Sequence, residues 1–585
     1  MIYNPKYKSL FVASLVFILI FSCKNDPESV TSSFTTKAPT SLQMRLLSEP
    51  DGLSPILARR NIARQVFRHL YTRLLEVDPR TSKYTPQLAV ALPKEEILEN
   101  GFKKITFSIQ PNAMWSDGTP LTTEDILFSY KLLKHPGVQT RYSEIIDAII
   151  DIQIDPSNPK VISFIASECQ IGLISSICEM YIYPEHIFDP ERSMREVPFK
   201  TFMDIEKIAS KVNEDDGLVK VGERFMNPEY VRDASKFVTS NAYNFKEWIT
   251  GQRIVIQKNK NWWGNEIDSP IFKPKAEEIQ FQIVPDNITA ITQLVNGELD
   301  VIPSVPAVIF DENKHKENLN AKETLAYSTI WLALNNEKGL LSDRLVRIAL
   351  SHVCDTESIV KNALNNHGST LTGPFMPGTE MYNNKVTPIP FDVGIAKDIL
   401  RTIGWSDSDQ DGILDKIVDG KKTNLSLNFS LSNKSTTGPI IAELLKNNAK
   451  QAGIDIRIVP SDNKTMIQNV KAGDFDIFLT GTSFGSGLYD PKGRWHTESF
   501  PPNGANYCRY GSKETDAMID QIRASCEEDA KLFDLYHQLH ATIAADQPVI
   551  FLYNPKLLFL VNNKFDNVVV SSVRTWFFEE YLTLK

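Results

Sequence analysis

Residues 102–134 read FKKITFSIQPNAMWSDGTPLTTEDILFSYKLLK, and residues 233–264 read DASKFVTSNAYNFKEWITGQRIVIQKNKNWWG. The first stretch is predicted to be a strand that passes through a turn into a helix. The second is predicted to contain a strand, a turn and a second strand. Neither is a catalytic motif, so the two stretches are informative about architecture and not about a reaction.

Strands and helices alternate along the rest of the chain. A strand, a helix and a strand are predicted within 276–310, and the same alternation continues through 394–403, 424–430, 438–452 and 454–459. Apolar residues at helical spacing also predict a helix over 61–77. This alternation favours an α/β fold. Because 585 residues are too many for a single core, two or more lobes are expected.

The order and spacing of these motifs resemble the extracytoplasmic solute-binding proteins of peptide-type ABC importers, the oligopeptide- and dipeptide-binding family 5. The family has a strand that leads into a WxDGxPLTAEDV-like turn and helix. It also has a GxGPY segment that leads through a tryptophan to a RNxxYWG ending. The matching residues are Trp115, Asp117, Gly118, Pro120, Leu121, Thr122, Glu124, Asp125, Asn241, Ala242, Tyr243, Trp248, Asn259, Trp262, Trp263 and Gly264.

This resemblance implies a two-lobed, periplasmic-binding-protein-like α/β fold with an interlobe cleft. Lobe 1 is expected to be discontinuous, with residues 42–330 and 486–585, and lobe 2 to be residues 331–485. Closure about the two crossings would enclose a ligand. The expected partners are a peptide or another small solute and the permease and ATPase of an ABC importer. No cofactor is expected, and the protein is expected to be a monomer. A binding lipoprotein for a non-peptide solute, or one that senses, remains an alternative.

The loop between the second lobe and the return to the first supplies the candidate ligand-binding residues. They are Phe484, Tyr489, Asp490 and Trp495, together with Trp331 at the other crossing. Aromatic residues near an interlobe crossing often form the apolar floor of a cleft. Peptide-binding relatives typically place an aspartate in this loop to pair with the ligand's α-ammonium group, and here Gly487 stands at that position. We therefore expect that a free peptide N-terminus is not the main anchor. Asp490 is the nearest carboxylate, and capping the turn is an alternative role for it.

The N-terminus resembles an export signal. Lys6 and Lys8 precede an apolar run over 10–21, which is too short to span a bilayer comfortably. Ser22-Cys23 resembles a lipobox, so residues 1–22 are expected to be a signal peptide, Cys23 to be lipidated, and residues 23–41 to form a flexible tether to the membrane of the cell envelope. An ordinary export signal with an incidental Cys23 is the alternative.

Charge and cysteine content exclude other classes of protein. The formal net charge is −9, and residues 1–22 carry two lysines and no acid, so the processed chain is still more acidic. An acidic exported chain is a poor candidate for nucleic-acid binding. Besides Cys23 there are five cysteines, whose spacing matches no zinc motif and does not assign a disulfide.

Three local patterns suggest other chemistry. The segment 481–485 matches the G-x-S-x-G elbow of hydrolases, with Ser483 as the nucleophile, but turn residues follow where a helix should begin. Asp407, Asp409, Asp411 and Asp415 could surround Ca²⁺, although a tight turn is favoured because the last ligand of an EF-hand is missing. His537 and His540 lie one helical turn apart without a neighbouring glutamate, so a metal site is not predicted there.

Overall fold

The computed structural model describes residues 39–140, 142–167, 170–269, 272–418, 420–485, 487–525, 528–572 and 577–585. It confirms the α/β prediction. The predicted signal peptide, Cys23 and nearly all of the predicted tether lie outside the described residues. Within the described part, no helix is both long enough and apolar enough to cross a bilayer.

A twelve-stranded mixed sheet runs through the molecule. Ten of its strands form one path, and Leu319–Leu325 and Gly368–Thr370 pair with the strand Val549–Asn562 beside that path. In spatial order, the strands on the path are Asp455–Ser461, Ser426–Ser432, Ile477–Ser483, Ser328–Leu334, Val549–Asn562, Val301–Ile302, Ser41–Leu46, Glu278–Ile283, Arg253–Lys258 and Tyr243–Ile249.

A four-stranded antiparallel sheet lies in the first half of the chain, in the order Lys94–Ile97, Lys103–Ser108, Val161–Ala166 and Ile149–Ile154. Four two-stranded pairs complete the β-structure: Leu75–Val77 with Tyr84–Pro86, Asp415–Val418 with Lys421–Asn424, Phe565–Asp566 with Thr583–Leu584, and Val569–Val570 with Phe577–Phe578.

The α-helices of the described residues are spread over both halves of the chain. Those in the first half are Arg64–Phe67, Thr123–Lys134, Leu173–Cys178, Glu185–Phe188, Phe199–Phe202, Ile205–Glu214, Asp216–Met226, Glu229–Arg232 and Asn287–Asn296. Those in the second half are Ala307–Asn313, Arg344–His352, Thr356–Leu364, Val393–Thr402, Gly438–Gln451, Asn463–Ala472, Lys492–Trp495, Lys513–Arg523 and Ala530–Asp546.

Both of the opening stretches fold as predicted. The strand Lys103–Ser108 leads into a turn in which the amide of Gly118 donates to the carbonyl of Trp115 at 3.0 Å, and Gly118 has a φ of +87°. The helix Thr123–Lys134 then begins where the carboxylate of Asp125 accepts the backbone N–H of Thr122 at 2.8 Å. In the second stretch, Tyr243–Ile249 and Arg253–Lys258 pair antiparallel around a short turn.

The helix predicted over 61–77 is much shorter in the structure. A 3₁₀ turn covers Asn61–Ala63, the α-helix ends at Phe67, and Leu75–Val77 is a strand. The buried apolar side chains of this segment all belong to the same hydrophobic cluster, whether they lie in the helix, the turn or the strand. The spacing of apolar residues therefore did not reveal where the helix ends.

The strand Val549–Asn562, called the shared strand below, contributes to all four hydrophobic clusters found among the described residues. Its side chains alternate between faces, as the period of two requires. Ile550 and Leu552 enter one cluster of the second half, and Val549 and Phe551 enter the other. Further along, Phe559 and Val561 enter the main cluster of the first half, and Leu558 and Leu560 enter the smaller one.

The helices Lys513–Arg523 and Ala530–Asp546, which the sequence prediction assigned to lobe 1, contact a cluster that also contains Trp331 and Phe478. They cover the face of the sheet opposite the helices Arg344–His352 and Gly438–Gln451, whose side chains share a cluster with Leu332 and Leu334. A sheet that is apolar on both faces needs helices on each. The lobe boundaries themselves stay a prediction.

The shared strand passes from one pair of clusters to the other at Asn554. This side chain is fully buried, and its amide nitrogen donates to the carbonyl oxygens of Ala326 at 2.7 Å and Ser328 at 2.6 Å. The carbonyl of Tyr327, between them, accepts the amide N–H of Phe484 at 2.9 Å. Three segments of the chain therefore lie side by side at the crossing.

Candidate functional site

A cavity of about 690 Å³ lies beside this crossing. One wall comes from the first half of the chain, from residues 144–148 and from the segment between Gln170 and Glu179. The opposite wall comes from the loop between Ser483 and Lys492, together with Arg523. A cavity walled by two separate parts of the chain, next to their connection, has the position expected of an interlobe cleft.

A smaller cavity of about 30 Å³ continues this space. It shares Glu179 and Gly485 with the larger one, so the two are adjoining parts of one cleft. Its lining residues also include Arg64, Arg73, Glu76, Tyr327, Phe484 and Gly487.

The loop that follows the strand Ile477–Ser483 approaches the opposite wall closely. A Cβ atom placed on Gly485 would lie 3.3 Å from Oε1 of Glu179. Gly487 has a φ of +80°, a conformation that residues with a Cβ rarely adopt. The two glycines therefore let the main chain of the loop form the surface of the cleft.

The structure brings two of the predicted aromatic residues to the cleft. Phe484 lines the smaller cavity, and its ring contacts those of Tyr327 and Tyr489, with centroids 5.9 and 4.9 Å apart. Tyr489 lines the larger cavity, and its carbonyl accepts the hydroxyl of Tyr536 at 2.7 Å. Burial raises the pKa of the Tyr489 phenol, which therefore stays protonated at neutral pH.

Asp490 also lies on the wall of the larger cavity, where its carboxylate already has two partners. Oδ1 accepts the backbone N–H of Lys492 at 2.9 Å, and Oδ2 accepts Nε of Arg523 at 2.9 Å. The side chain thus caps the turn, which was the alternative role that the sequence suggested for it.

Trp331 and Trp495 lie behind the cleft. They are 2% and 1% exposed, their ring centroids are 5.8 Å apart, and Phe551 packs against Trp495. Neither lines the two cleft cavities described above. The structure therefore places these two predicted ligand contacts in the core of the second half.

The cleft contains charged residues that the sequence analysis did not single out. The guanidinium of Arg73 lies 4.1 Å above the ring of Tyr181 and donates to its hydroxyl, and a second nitrogen contacts Glu76 at 3.3 Å. Nε of Arg73 is buried without a hydrogen-bond partner among the described residues. Glu179 faces the same space from the first-half wall. No local motif marks Arg73 or Glu179, because both belong to ordinary strand or helix ends.

Ser483 is exposed on the wall of the larger cavity, at the end of its strand. The next helix of the described chain begins only at Lys492, so the strand-to-helix turn of a hydrolase elbow is missing.

The acidic turn at 407–415 is neutralised from within the chain. Asp407 accepts the backbone N–H groups of Asp411 and Gly412, and Nζ of Lys422 lies 2.6 Å from Asp409 and 3.3 Å from Asp415. An ammonium group thus occupies the position between these two carboxylates, which supports the tight turn favoured by the sequence over a calcium site.

His537 and His540 do not converge on a common ligand. Nε2 of His537 pairs with the carbonyl of Glu380 at 2.9 Å, whereas His540 is fully buried against Tyr382. Burial lowers the pKa of His540 to about 4, so this imidazole is neutral at physiological pH.

Three cysteines, Cys178, Cys354 and Cys508, are buried free thiols. Burial raises the pKa of Cys354 to about 12, which makes it an inert packing residue. Cys169 and Cys526, like the predicted lipidation site Cys23, lie outside the described residues.

Comparison with known proteins gives one consistent result. Residues 83–499 match the family described as "Bacterial extracellular solute-binding proteins, family 5 Middle". The oligopeptide-binding protein AppA of Bacillus subtilis is 29% identical over 324 residues, which cover 55% of this chain and 57% of that protein. The periplasmic oligopeptide-binding protein OppA of Salmonella typhimurium is 23% identical and covers 94% of this chain and 93% of its own length.

The fold is that of solved structures in the same group. The structure of AppA from Bacillus subtilis in complex with a nonapeptide superimposes with a TM-score of 0.69 at 22% identity, covering 94% of this chain and 100% of that one. The prediction of a two-lobed binding-protein fold is therefore confirmed.

Proposed function

Because the chain belongs to family 5 of the bacterial extracellular solute-binding proteins, we propose that it captures peptides, or a related small solute, for an ABC importer. Family members are solute-binding proteins, so the chain is a binding protein and not an enzyme. AppA and OppA are named as oligopeptide-binding proteins, and peptides are for that reason the first ligand class to test.

The observation that carries this proposal is the cavity of about 690 Å³ between the two parts of the chain. One of its walls is a glycine-containing loop whose main chain faces the cavity. Main-chain hydrogen bonds to an extended peptide give affinity that does not depend on the peptide's side chains. Phe484 and Tyr489 would supply apolar surface, while Arg73 and Glu179 would contact charged groups of the ligand.

The hydrophobic clusters favour a division into lobes that differs from the sequence prediction. The second lobe would extend from Ser328 to Tyr553, and the first lobe would contain residues 42–327 and 555–585. Asn554 would then belong to one connecting segment and hold the other through the carbonyls of Ala326 and Ser328. Rotation about these segments would open and close the cleft.

The direct test is to purify the full-length chain in detergent, release the bound ligands by denaturing the protein and identify these ligands by mass spectrometry. The released ligands should then rebind in calorimetry, and ligand should reduce the radius of gyration in X-ray scattering. Recovery of a non-peptide solute would assign the alternative ligand class. If the protein binds neither the released compounds nor a mixture of peptides in calorimetry, the proposal is wrong.

The mode of peptide recognition gives one prediction. Since Gly487 stands where an anchoring carboxylate is expected and Asp490 is held by Arg523, acetylation of a peptide's N-terminus should change its affinity by only a few fold. Calorimetry of one peptide with free and acetylated N-termini measures this. A loss of about tenfold or more, absent in Asp490→Asn, would show that Asp490 binds the α-ammonium group after all.

The membrane anchor gives another prediction. Cys23, preceded by Ser22 and an apolar run, motivates the proposal that the mature chain is held to a membrane of the cell envelope by a lipidated cysteine. Replacing Cys23 by Ala should abolish labelling with radioactive palmitate and move the protein out of the membrane fraction or leave it unprocessed. Cys354→Ala, at a buried thiol, is the matched control and should label normally. Equal labelling of Cys23→Ala and wild type would disprove the anchor.

A further inference from the structure

A buried group of three potential metal ligands lies where the C-terminal segment meets the first lobe, and none of the three lines the two cleft cavities described above. His69 follows the helix Arg64–Phe67, and Glu579 and Glu580 belong to the 3₁₀ turn Glu579–Tyr581. One ligand atom from each side chain lies within 4.8 Å of the other two, and all three residues are buried. Nδ1 of His69 is 3.1 Å from Oε1 of Glu579.

The hydrogen bonds around these carboxylates leave one oxygen of each facing inward. Arg68 donates to Oε2 of Glu579 at 3.2 Å and to Oε1 of Glu580 at 2.9 Å. Of the other two oxygens, Oε1 of Glu579 faces Nδ1 of His69 at 3.1 Å, and Oε2 of Glu580 is buried with no hydrogen-bond partner in the described part of the chain. Buried oxygens without a partner are costly, so a bound species at this position would be stabilising.

A small cavity provides the space for such a species. It measures about 20 Å³ and is lined by Arg68, His69, Glu579, Glu580, Tyr243 and Trp262, among others. This space admits species the size of an ion or a water molecule, and not an organic ligand. The ring of Tyr243 packs edge-on against that of His69, with centroids 5.6 Å apart, which fixes the orientation of the imidazole.

We propose that His69, Glu579 and Glu580 bind one divalent transition-metal ion of the zinc type. One imidazole nitrogen and two carboxylate oxygens form a ligand set that Zn²⁺ accepts, with a water molecule in the fourth position. Arg68 would orient both carboxylates through their remaining oxygens, as outer hydrogen-bonding groups do around metal ligands. Arg68 supplies one positive charge to the carboxylates of both Glu579 and Glu580. The metal cation would therefore balance the negative charge that Arg68 leaves uncompensated.

The structural consequence is a link between distant parts of the sequence. The metal would tie the turn Glu579–Tyr581 to residues near the start of the first lobe, about 500 positions earlier in the chain. Since the unfolded chain does not hold these ligands together, metal binding should stabilise the native state.

Uptake of metal by the full-length chain, produced without a polyhistidine tag and stripped with a chelator, tests this inference. Wild type should take up one Zn²⁺ per chain by elemental mass spectrometry, and Co²⁺ should give the visible bands of a four-coordinate site. His69→Gln and Glu580→Gln should each weaken binding by at least about 100-fold. His367→Gln is the matched control, because the partly buried His367 contacts Asp311 and Glu323, outside this group, and its substitution is expected to leave metal uptake unchanged.

Circular dichroism would establish that Glu580→Gln is folded, since the amide oxygen still accepts from Arg68. X-ray absorption at the zinc edge of wild type gives a second measurement that needs no variant, and should show one imidazole with otherwise oxygen ligands. Stripped wild type that takes up neither metal, unchanged affinity in His69→Gln, or sulfur at the metal would overturn the assignment.

Discussion

Replacing Asn554 by Asp is expected to lower the free energy of unfolding by about 3–5 kcal/mol at pH 7. The substitution keeps the shape of the side chain but replaces an NH₂ donor with a carboxylate oxygen. That oxygen would face the carbonyls of Ala326 and Ser328, which Asn554 now contacts at 2.7 and 2.6 Å in a fully buried position. Urea denaturation followed by circular dichroism measures the loss.

The effect of pH provides an internal check on this result. Burial against two carbonyls would raise the pKa of the introduced carboxyl, so the folded variant would bind a proton more tightly than the unfolded chain. The free energy of unfolding of the variant should therefore approach that of wild type as the pH falls from 7 towards 5. The reason is that a protonated carboxyl can donate one of the two hydrogen bonds that Asn554 makes to Ala326 and Ser328. Asn362→Asp, at an exposed helical position, should cost less than about 0.5 kcal/mol. A loss that small in Asn554→Asp would show that Asn554 does not stabilise the crossing.

Gly485→Phe is expected to reduce affinity for peptide by about 100-fold or more, with little change in melting temperature. A Cβ atom at this position already lies 3.3 Å from Oε1 of Glu179, and the ring would project into the junction of the two cleft cavities. The φ of Gly485 is not in the left-handed region, so the backbone can accept the side chain without strain.

Gly493→Phe is the matched control for this substitution. Gly493 lies eight positions further along the same return segment, and a Cβ atom there meets nothing within 4 Å. The affinity of the Gly493→Phe variant for the same peptide, measured by calorimetry, should equal that of wild type. If Gly485→Phe binds peptide as tightly as Gly493→Phe does, the ligand site lies elsewhere.

Regular elements with a clear period could be predicted from the sequence. The helices predicted at 394–403 and 438–452 are found at Val393–Thr402 and Gly438–Gln451, and the strands predicted at 424–430 and 454–459 are found at Ser426–Ser432 and Asp455–Ser461. Each of these has one buried face, which a period of 3.6 or 2 residues reveals. The shared strand Val549–Asn562 continues past Pro555, although a proline usually ends such a run.

The site was harder to predict because its residues come together only through tertiary contacts. The return loop could be found from its glycines and aromatic residues, and Phe484 and Tyr489 do lie at the cleft. Trp331 and Trp495 are also aromatic residues near the crossings, but both face the core. Trp331 lies on a strand, whose alternate residues face opposite sides, and Trp495 ends the short helix Lys492–Trp495. Arg73 and Glu179 are about a hundred positions apart and no local pattern connects them.

The shared strand also constrains how the chain can acquire its structure during synthesis. Val549–Asn562 supplies side chains to all four hydrophobic clusters, yet it lies within the last 40 residues of a 585-residue chain. Its pairings with Ser328–Leu334 and Leu319–Leu325 span more than 200 positions, and contacts so distant in sequence form slowly. A nascent chain that ends before residue 549 thus lacks the strand on which both halves depend, and the completed cores can form only after residues 549–562 have emerged. Late folding of this kind suits an extracellular protein, because it leaves the polypeptide unfolded while it is being transported.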